Sequence, residues 1–184
     1  MSDKIENGAG APPRRTARPM RPEGRPSPRR PDPFRHLAHV PSFRDNPIGF
    51  FTTCTYKRRR ILASHECQNI LHEIWLRSAD HDGWWVGNYI LMPDHVHFFA
   101  RPEIDARPAA DWVQMWKSVS SRRIGVALAV KQPIWQRQYF DPYLRSSENY
   151  SEKWHYVEQN AVRARLVETV DAWPYGGTIH DLTF

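Results

Sequence analysis

The fold of this chain is decided by residues 84–100, which read WWVGNYILMPDHVHFFA. Residues 84–91 and 95–100 are two strand-like runs, and only Met92-Pro93-Asp94 separates them. A connection this short that contains proline favours an antiparallel hairpin. The sequence therefore predicts a hairpin near the middle of the chain, and the other elements are arranged around it.

Five further elements are predicted from hydrophobic spacing or from strand-forming composition. They are a strand over 48–56, a helix from about Ser64 (its N-cap) to His81, a helix from Pro108 to Ala127, a strand over 138–145 that Pro142 confines to a sheet edge or a bulge, and a last helix from about Ser147 through Asn160. The order is therefore β-α-β-β-α-β-α. Its first six elements predict an α+β, ferredoxin-like antiparallel sheet with helices on one face, and the extra C-terminal helix carries Tyr156.

Charge and proline content divide the chain at about residue 42. Residues 1–42 hold nine basic and four acidic side chains and nine of the sixteen prolines. Proline at this density removes helix and sheet donors, so we interpret 1–42 as a disordered basic arm. The arm either captures phosphate backbone without sequence preference or serves as a solubilising tail. Residues 43–184 are long enough for one folded domain.

The sequence has no apolar run long enough for a membrane span, and its first thirty residues lack the hydrophobic core of a signal peptide. The only cysteines, Cys54 and Cys67, do not have the spacing of a metal or redox site. We therefore expect a cytoplasmic protein with two reduced thiols.

Two histidines on the second strand of the hairpin are candidate metal ligands. Alternate residues of a strand point to the same face, so His95 and His97 project in parallel while Val96 points into packing. Two neutral imidazoles can supply two ligands and leave room for substrate oxygens. With nine histidines in the chain, such a pair also arises by chance.

Tyr156 and Asn160 are four residues apart on the last predicted helix, so they share one of its faces. The amide oxygen of Asn160 could complete a three-ligand site while the phenol of Tyr156 approaches the same ion. A phenol is a poor nucleophile at neutral pH unless a cation stabilises its anion. Alternatively, Tyr156 packs half-buried against the sheet, as helical tyrosines often do. We expect Mg²⁺ or Mn²⁺, between which the sequence does not choose.

Four ordered stretches carry a resemblance to a known family. Residues 89–98, YILMPDHVHF, resemble the histidine motif (HUH) of the single-tyrosine transposases. Residues 135–141 (WQRQYFD), 156–167 (YVEQNAVRARLV) and 173–175 (WPY) resemble the REP-associated branch of that family. The resemblance runs from about Phe50 to Tyr175.

The resemblance implies particular roles for the candidate residues. His95 and His97 are implied as metal ligands, Asn160 as the ligand on the helix and Tyr156 as the nucleophile. It also implies a 5′-phosphotyrosine intermediate, a free 3′-hydroxyl and recognition of short DNA hairpins. Related transposases share active sites between two subunits, whereas the REP-associated branch acts as single chains, so a monomer is favoured over a homodimer.

The chain departs from the family pattern at three positions. Asp94 stands where the family often has asparagine, Ala161 replaces a usual proline, and Arg165 replaces a usual glycine. We expect Ala161 to let the last helix continue slightly further and Arg165 to add charge near DNA. None of the three changes removes a reacting group.

Basic residues of the body are candidate phosphate contacts. The predicted set consists of Lys57, Arg58, Arg59 and Arg60 in a loop, Lys117, Arg122 and Arg123 on the second helix, and Arg163 and Arg165 after Asn160. The loop could instead be a solvated charge run.

The function predicted from these observations is metal-dependent nicking and strand transfer of single-stranded or hairpin DNA in transposition. Three alternatives remain. They are a replication initiator or relaxase with the same chemistry, a non-catalytic regulator that binds hairpins, and a metal hydrolase that forms no covalent intermediate.

Overall fold

A computed structural model of the chain describes residues 47–140, 144 and 147–182. The predicted basic arm, residues 1–42, lies outside this range. The regular elements are β1 (Gly49–Cys54), α1 (His65–Asp82), β2 (Trp84–Met92), β3 (His95–Pro102), α2 (Ala109–Ala127), α3 (Ser147–Glu158), α4 (Asn160–Arg163) and β4 (Gly176–Thr178). No helix in the described part of the chain combines the length and the apolar character that crossing a bilayer requires.

The predicted hairpin is confirmed. Strands β2 and β3 pair antiparallel with Met92 opposite His95, which leaves Pro93 and Asp94 as the turn. The turn is tied to the segment that follows β1, because the Asp94 carbonyl accepts from the backbone N–H of Thr55 at 2.9 Å and from its hydroxyl at 3.1 Å. This anchoring fixes the start of β3, where the histidines lie.

The sheet has the order β1-β3-β2-β4, and every pair of neighbours is antiparallel. The strand predicted over 138–145 lies partly outside the described residues, which omit 141–143 and 145–146. One residue of its described part, Phe140, forms an isolated antiparallel bridge with Thr52 of β1, and the preceding Trp135 forms another with Thr55. Phe140 therefore lies beside β1, where a ferredoxin-like sheet has its fourth strand.

Strand β4 was not predicted. It extends the sheet beyond β2, and its two glycines lie directly against Tyr89. A Cβ atom on Gly177 would meet the Tyr89 hydroxyl at 3.1 Å, which is closer than an ordinary van der Waals contact. Glycine is thus needed for close approach here, although it weakens strand propensity.

One face of the sheet is covered by α1 and α2, and we call it the helix-covered face. The fully buried tryptophans Trp75, Trp84, Trp112 and Trp116 pack there. The rings of Trp84 and Trp112 stack with centroids 4.4 Å apart and planes 3° from parallel. Burial of each such ring contributes on the order of 2–3 kcal/mol, so this layer holds most of the packing energy.

Helix α1 begins and ends as the sequence predicts. The Ser64 hydroxyl accepts from the backbone N–H of Cys67 at 3.2 Å, which confirms Ser64 as the N-cap. Gly83 ends the helix with φ 68°, in the left-handed region that glycine adopts without strain. A Cβ at Gly83 would lie 3.0 Å from Cα of Ala106, so the close approach of the loop between β3 and α2 also requires glycine there.

The opposite face carries His95, His97 and Phe99, and we call it the histidine face. Here Val157 of α3 and Ala161 of α4 are buried with Phe50 and Phe99. Helices thus lie on both faces, with α3 on the side that α1 and α2 leave uncovered.

The last helix is interrupted, contrary to prediction. Helix α3 ends at Glu158, and Asn160 begins the separate four-residue α4. Gln159, between them, has ψ −3°, far from the roughly −42° of a regular α-helix. Tyr156 and Asn160 therefore lie on two consecutive helical pieces.

Candidate active site

His95 and His97 lie side by side on the histidine face, as the strand alternation predicts. Their ring centroids are 4.8 Å apart, and the planes are nearly perpendicular at 82°. Phe50 of β1 stacks on the His97 ring at 5.4 Å and 17°. Both rings are therefore held by packing on a rigid strand.

Each imidazole is also oriented by a hydrogen bond at Nδ1. His97 Nδ1 lies 2.8 Å from the hydroxyl of Thr52, its partner across β1 and β3. His95 Nδ1 lies 2.7 Å from a carboxylate oxygen of Asp94, whose other oxygen accepts from Arg58 Nε at 2.8 Å. Such outer contacts fix the tautomer of a metal-binding histidine and leave Nε2 as the nitrogen for an ion.

The surroundings keep both histidines neutral. Burial lowers the pKa of His95, and the hydrogen bond and charge of Asp94 oppose that shift only in part. The pKa of His97 falls to about 3, chiefly through burial. Nearby basic groups add to the effect, namely His95, Lys153, Arg58 and Arg163. A neutral imidazole is the form that binds a metal.

Helix α3, which carries Tyr156, packs on the histidine face. The helix packs on the sheet through Tyr150 and Trp154, whose rings lie 4.6 and 6.1 Å from that of Phe99. Phe99 is two residues beyond His97 on the same face of β3. The Tyr156 ring is 59% exposed, so its phenol is open to a large substrate instead of being packed in the core.

Asn160 and Tyr156 are linked by Arg163. The guanidinium carbon of Arg163 lies 3.9 Å from the centroid of the Tyr156 ring. The same guanidinium donates a hydrogen bond to the amide oxygen of Asn160. This contact spans the break between α3 and α4 and holds the two candidate residues together.

His95 and His97 are suitable in chemistry to hold a divalent cation, and the amide of Asn160 is the third predicted ligand. Among the described residues, no three histidine, cysteine or acidic side chains converge as a metal site. The predicted ligand set does not require a third residue of these types, because its third ligand is the amide of Asn160. The amide oxygen has two lone pairs, so the bond from Arg163 leaves one for an ion.

The predicted basic loop has mixed surroundings. Lys57 and Arg60 are exposed. Arg58 is half-exposed and bound to Asp94. Arg59 donates to the carbonyl oxygens of Lys131, at 2.8 Å, and Pro133. Lys57 and Arg60 thus keep their charges at the surface, while Arg58 and Arg59 also hold the fold.

The predicted cations of α2 are not brought to the histidines, because α2 covers the other face of the sheet. Lys117 is moreover not a surface cation. It is buried, and its ammonium donates to the carbonyl oxygens of Gln136, Arg137 (3.1 Å) and Gln138 (3.5 Å). Arg123 is paired with Glu73 at 2.5 Å, and Arg122 is exposed. Lys117 therefore supports the segment beside β1 and is not available to phosphate.

Three residues of the site were missed in the sequence. Thr52 could be assigned only with the register of β1 on β3, which is not readable from local pattern. Asp94 adjoins His95, and that adjacency was a usable signal for a carboxylate–histidine pair. Lys153 precedes Tyr156 by one helical turn, and its ammonium lies 5.9 Å from the Tyr156 ring centroid.

Two solved structures are similar to this chain. A REP-associated tyrosine transposase, solved bound to a REP hairpin, superimposes with TM-score 0.57 at 19% identity, over 76% of this chain and 81% of that one. A provisionally assigned transposase of Deinococcus radiodurans R1 matches at 25% identity with TM-score 0.46, over 61% of this chain and 88% of that one. No curated protein matches the chain significantly.

The first of these structures has the same fold, an antiparallel sheet with packed helices. A family model described as "Transposase IS200 like" matches residues 50–160, a span that begins in β1 and ends at Asn160. That span is more than half of the chain and includes both histidines and Tyr156. The chain therefore belongs to the IS200-like transposase family.

Proposed function

We propose that this chain nicks and rejoins single-stranded DNA beside a hairpin, through a covalent bond between Tyr156 and a 5′-phosphate. Its family makes it a DNA-processing enzyme that acts in transposition. The finer chemistry is our proposal, and it rests on one observation. Helix α3 packs on the face of the sheet that carries His95 and His97, with Tyr156 exposed.

The proposed metal ligands are His95, His97 and Asn160, and the proposed ion is Mg²⁺ or Mn²⁺. Support comes from the two Nδ1 hydrogen bonds, which leave Nε2 of each ring for coordination. An ion bound there would polarise the scissile phosphate and gather negative charge from its oxygens. Two imidazoles suit Mn²⁺ better than Mg²⁺, and substrate oxygens and water would complete either shell.

In the proposed first step, the phenolic oxygen of Tyr156 attacks the scissile phosphorus. An oxygen–phosphorus bond forms to tyrosine as the bond from phosphorus to the 3′-oxygen breaks. The phenolic proton is lost to solvent and the leaving 3′-oxygen takes one up, so the products are a 5′-phosphotyrosine and a free 3′-hydroxyl. Attack by the same or another 3′-hydroxyl reverses the step and joins strands.

The exposed basic groups are proposed to hold the DNA backbone. Lys57, Arg60 and Arg165 are exposed cations of the described chain, and Arg163 lies beside Tyr156. Their contacts would position the strand without reading its sequence. A hairpin as substrate is supported by the likeness in fold to the transposase solved with a REP hairpin.

We further propose that a single chain suffices for the reaction. Support comes from α3, which carries Tyr156 and packs on the histidine face of its own chain through aromatic contacts. Size-exclusion chromatography with light scattering tests this directly. A dimer whose mixed His97→Ala and Tyr156→Phe chains regain activity would contradict it.

The main test is incubation of the chain with oligonucleotides that carry hairpins from DNA flanking its gene. Reactions contain Mn²⁺ or EDTA and are resolved on denaturing gels. We expect a covalent protein–DNA adduct with Mn²⁺ only, its loss in Tyr156→Phe and in His97→Ala, and its retention in Tyr56→Phe. Tyr56 is the matched control because it is also exposed, at 39%.

Two outcomes would contradict the proposal. Nicking that survives Tyr156→Phe would indicate a hydrolase without a covalent intermediate. Tight hairpin binding with no nicking under any metal would indicate a regulator that has lost catalysis.

A further inference from the structure

Two cations beside Tyr156 are not among the proposed metal ligands, although one of them, Arg163, donates to the Asn160 amide. Lys153 precedes the tyrosine by one turn of α3, and Arg163 follows it on α4. The Lys153 ammonium lies 5.9 Å and the Arg163 guanidinium 3.9 Å from the centroid of the Tyr156 ring. The exposed phenol thus has two positive charges next to it.

These charges are held in place without being neutralised. The Lys153 ammonium lies 4.8 Å from the centroid of the Phe50 ring, the ring that stacks on His97. Cation–π contacts restrict the two side chains but use up none of their hydrogen-bond donors. Within the described part of the chain, neither cation is ion-paired with a carboxylate.

Lys153 is also close to the histidine pair, because the Phe50 ring contacts both its ammonium and the His97 ring. The Tyr156 phenol therefore has an ammonium and a guanidinium beside it on the histidine face. Arg163 uses one donor on the Asn160 amide and is exposed, so further N–H groups remain for a ligand.

We propose that Lys153 and Arg163 form a phosphate clamp, a metal-independent site for the DNA phosphodiester that Tyr156 attacks. The inference rests on the proposed function and deepens it, because it names which groups hold the substrate before the ion is bound. The ammonium and the guanidinium contact the non-bridging oxygens of that phosphate. The strand is then positioned on the exposed tyrosine even in the absence of a divalent cation.

The clamp is tested by binding, in a background that cannot react. The Tyr156→Phe protein is titrated in EDTA with a fluorescent hairpin oligonucleotide that has a single-stranded extension, and anisotropy is measured at several salt concentrations. We expect Lys153→Gln and Arg163→Gln each to weaken binding by about five- to tenfold and to reduce the salt slope by about 0.7. Arg77→Gln is the matched control, since Arg77 is an exposed cation on α1, on the other layer.

A scan with neutral methylphosphonates then locates the contact. Each oligonucleotide carries one methylphosphonate in its extension. We expect one position at which the neutral group lowers the affinity of the Tyr156→Phe parent. At that position the same group should not lower the affinity of either clamp variant below its affinity for the unmodified oligonucleotide. In the protein with Tyr156 intact, cutting should occur at that position. Additive losses at every position, or cutting at a different phosphate, would overturn the clamp.

Failure of the clamp and failure of the nicking activity remain distinguishable. A covalent adduct with unchanged binding in both clamp variants would overturn the clamp alone. A localised phosphate contact without any adduct would contradict the nicking activity alone. Thermal melting identifies a variant that does not fold, and because Lys153 and Arg163 lie on separate helices, each tests the clamp independently.

Discussion

Thr52 and His97 face each other across β1 and β3, with the threonine hydroxyl 2.8 Å from Nδ1 of the imidazole. A histidine that binds a metal through Nε2 carries its proton on Nδ1 and donates it to such a partner. The Thr52 hydroxyl can accept that proton, so its position is compatible with the tautomer that the proposed metal site requires. The same role falls to Asp94 for His95, at 2.7 Å.

Thr52→Val should weaken Mn²⁺ binding by about 10- to 100-fold, because valine keeps the shape of threonine but cannot accept the Nδ1 proton. Isothermal titration of the purified chain measures the effect. Thr52→Ser, which retains the hydroxyl, should bind Mn²⁺ close to the parent value. Equal affinities in the valine and parent proteins would show that the hydrogen bond does not orient a ligand.

Metal binding should resist acid. An ordinary histidine with a pKa near 6.5 is mostly protonated at pH 5.5, which would cost metal affinity. Burial and nearby cations lower the pKa of His97 to about 3, and burial lowers that of His95 as well. We therefore expect the Kd for Mn²⁺ to rise less than about tenfold between pH 7 and pH 5.5, a smaller change than two ordinary histidines would give. A rise of tenfold or more, measured by titration at the two pH values, would contradict this.

Lys117 should make stability rise with pH in mildly alkaline solution. Burial lowers its pKa from 10.5 to about 8, so above pH 8 the unfolded chain keeps a proton that the folded chain has lost. The free energy of unfolding should therefore increase, relative to Lys117→Met, by about 1.5 kcal/mol between pH 8 and pH 9.5. Urea unfolding of both proteins at the two pH values measures this difference, from which groups common to both cancel. A constant difference would mean that Lys117 titrates normally.

Arg165→Gly should stabilise the chain. Arg165 has φ 56°, in the left-handed region, where a side chain costs about 1–2 kcal/mol and glycine does not. Glycine loses more backbone entropy on folding, so we expect a net gain of about 0.5–1 kcal/mol in chemical unfolding. Arg165→Ala is the matched variant: it removes the same exposed charge but keeps the strained backbone, and it should not stabilise.

The hairpin and the parallel histidines could be predicted because both follow from local rules. Strand alternation aligns His95 with His97, and Pro93 in a two-residue turn leaves few alternatives to a hairpin. Helix periodicity likewise located α1 and its Ser64 cap. Each of these features depends on residues that are close in the sequence.

The features that were missed depend on distant contacts. Strand β4 consists of Gly-Gly-Thr, and it forms because Tyr89 accommodates a close backbone, not through strand propensity. From the sequence, Lys117 is expected to be a solvated lysine. Its burial depends on the carbonyl oxygens of residues 136–138, which accept hydrogen bonds from its ammonium. The docking of α3 on the histidine face is similar, since its periodicity predicts an apolar side but not the surface that receives it.

The two faces of the sheet contribute unequally to the stability of the fold. The four buried tryptophans pack in the layer of α1 and α2. Most of the packing energy therefore comes from the face opposite the proposed catalytic residues. Helices α3 and α4 rest on a smaller aromatic patch and carry the exposed Tyr156 and Arg163. Exposed side chains of these two helices can consequently be exchanged at little cost to the layer of tryptophans on the other side of the sheet.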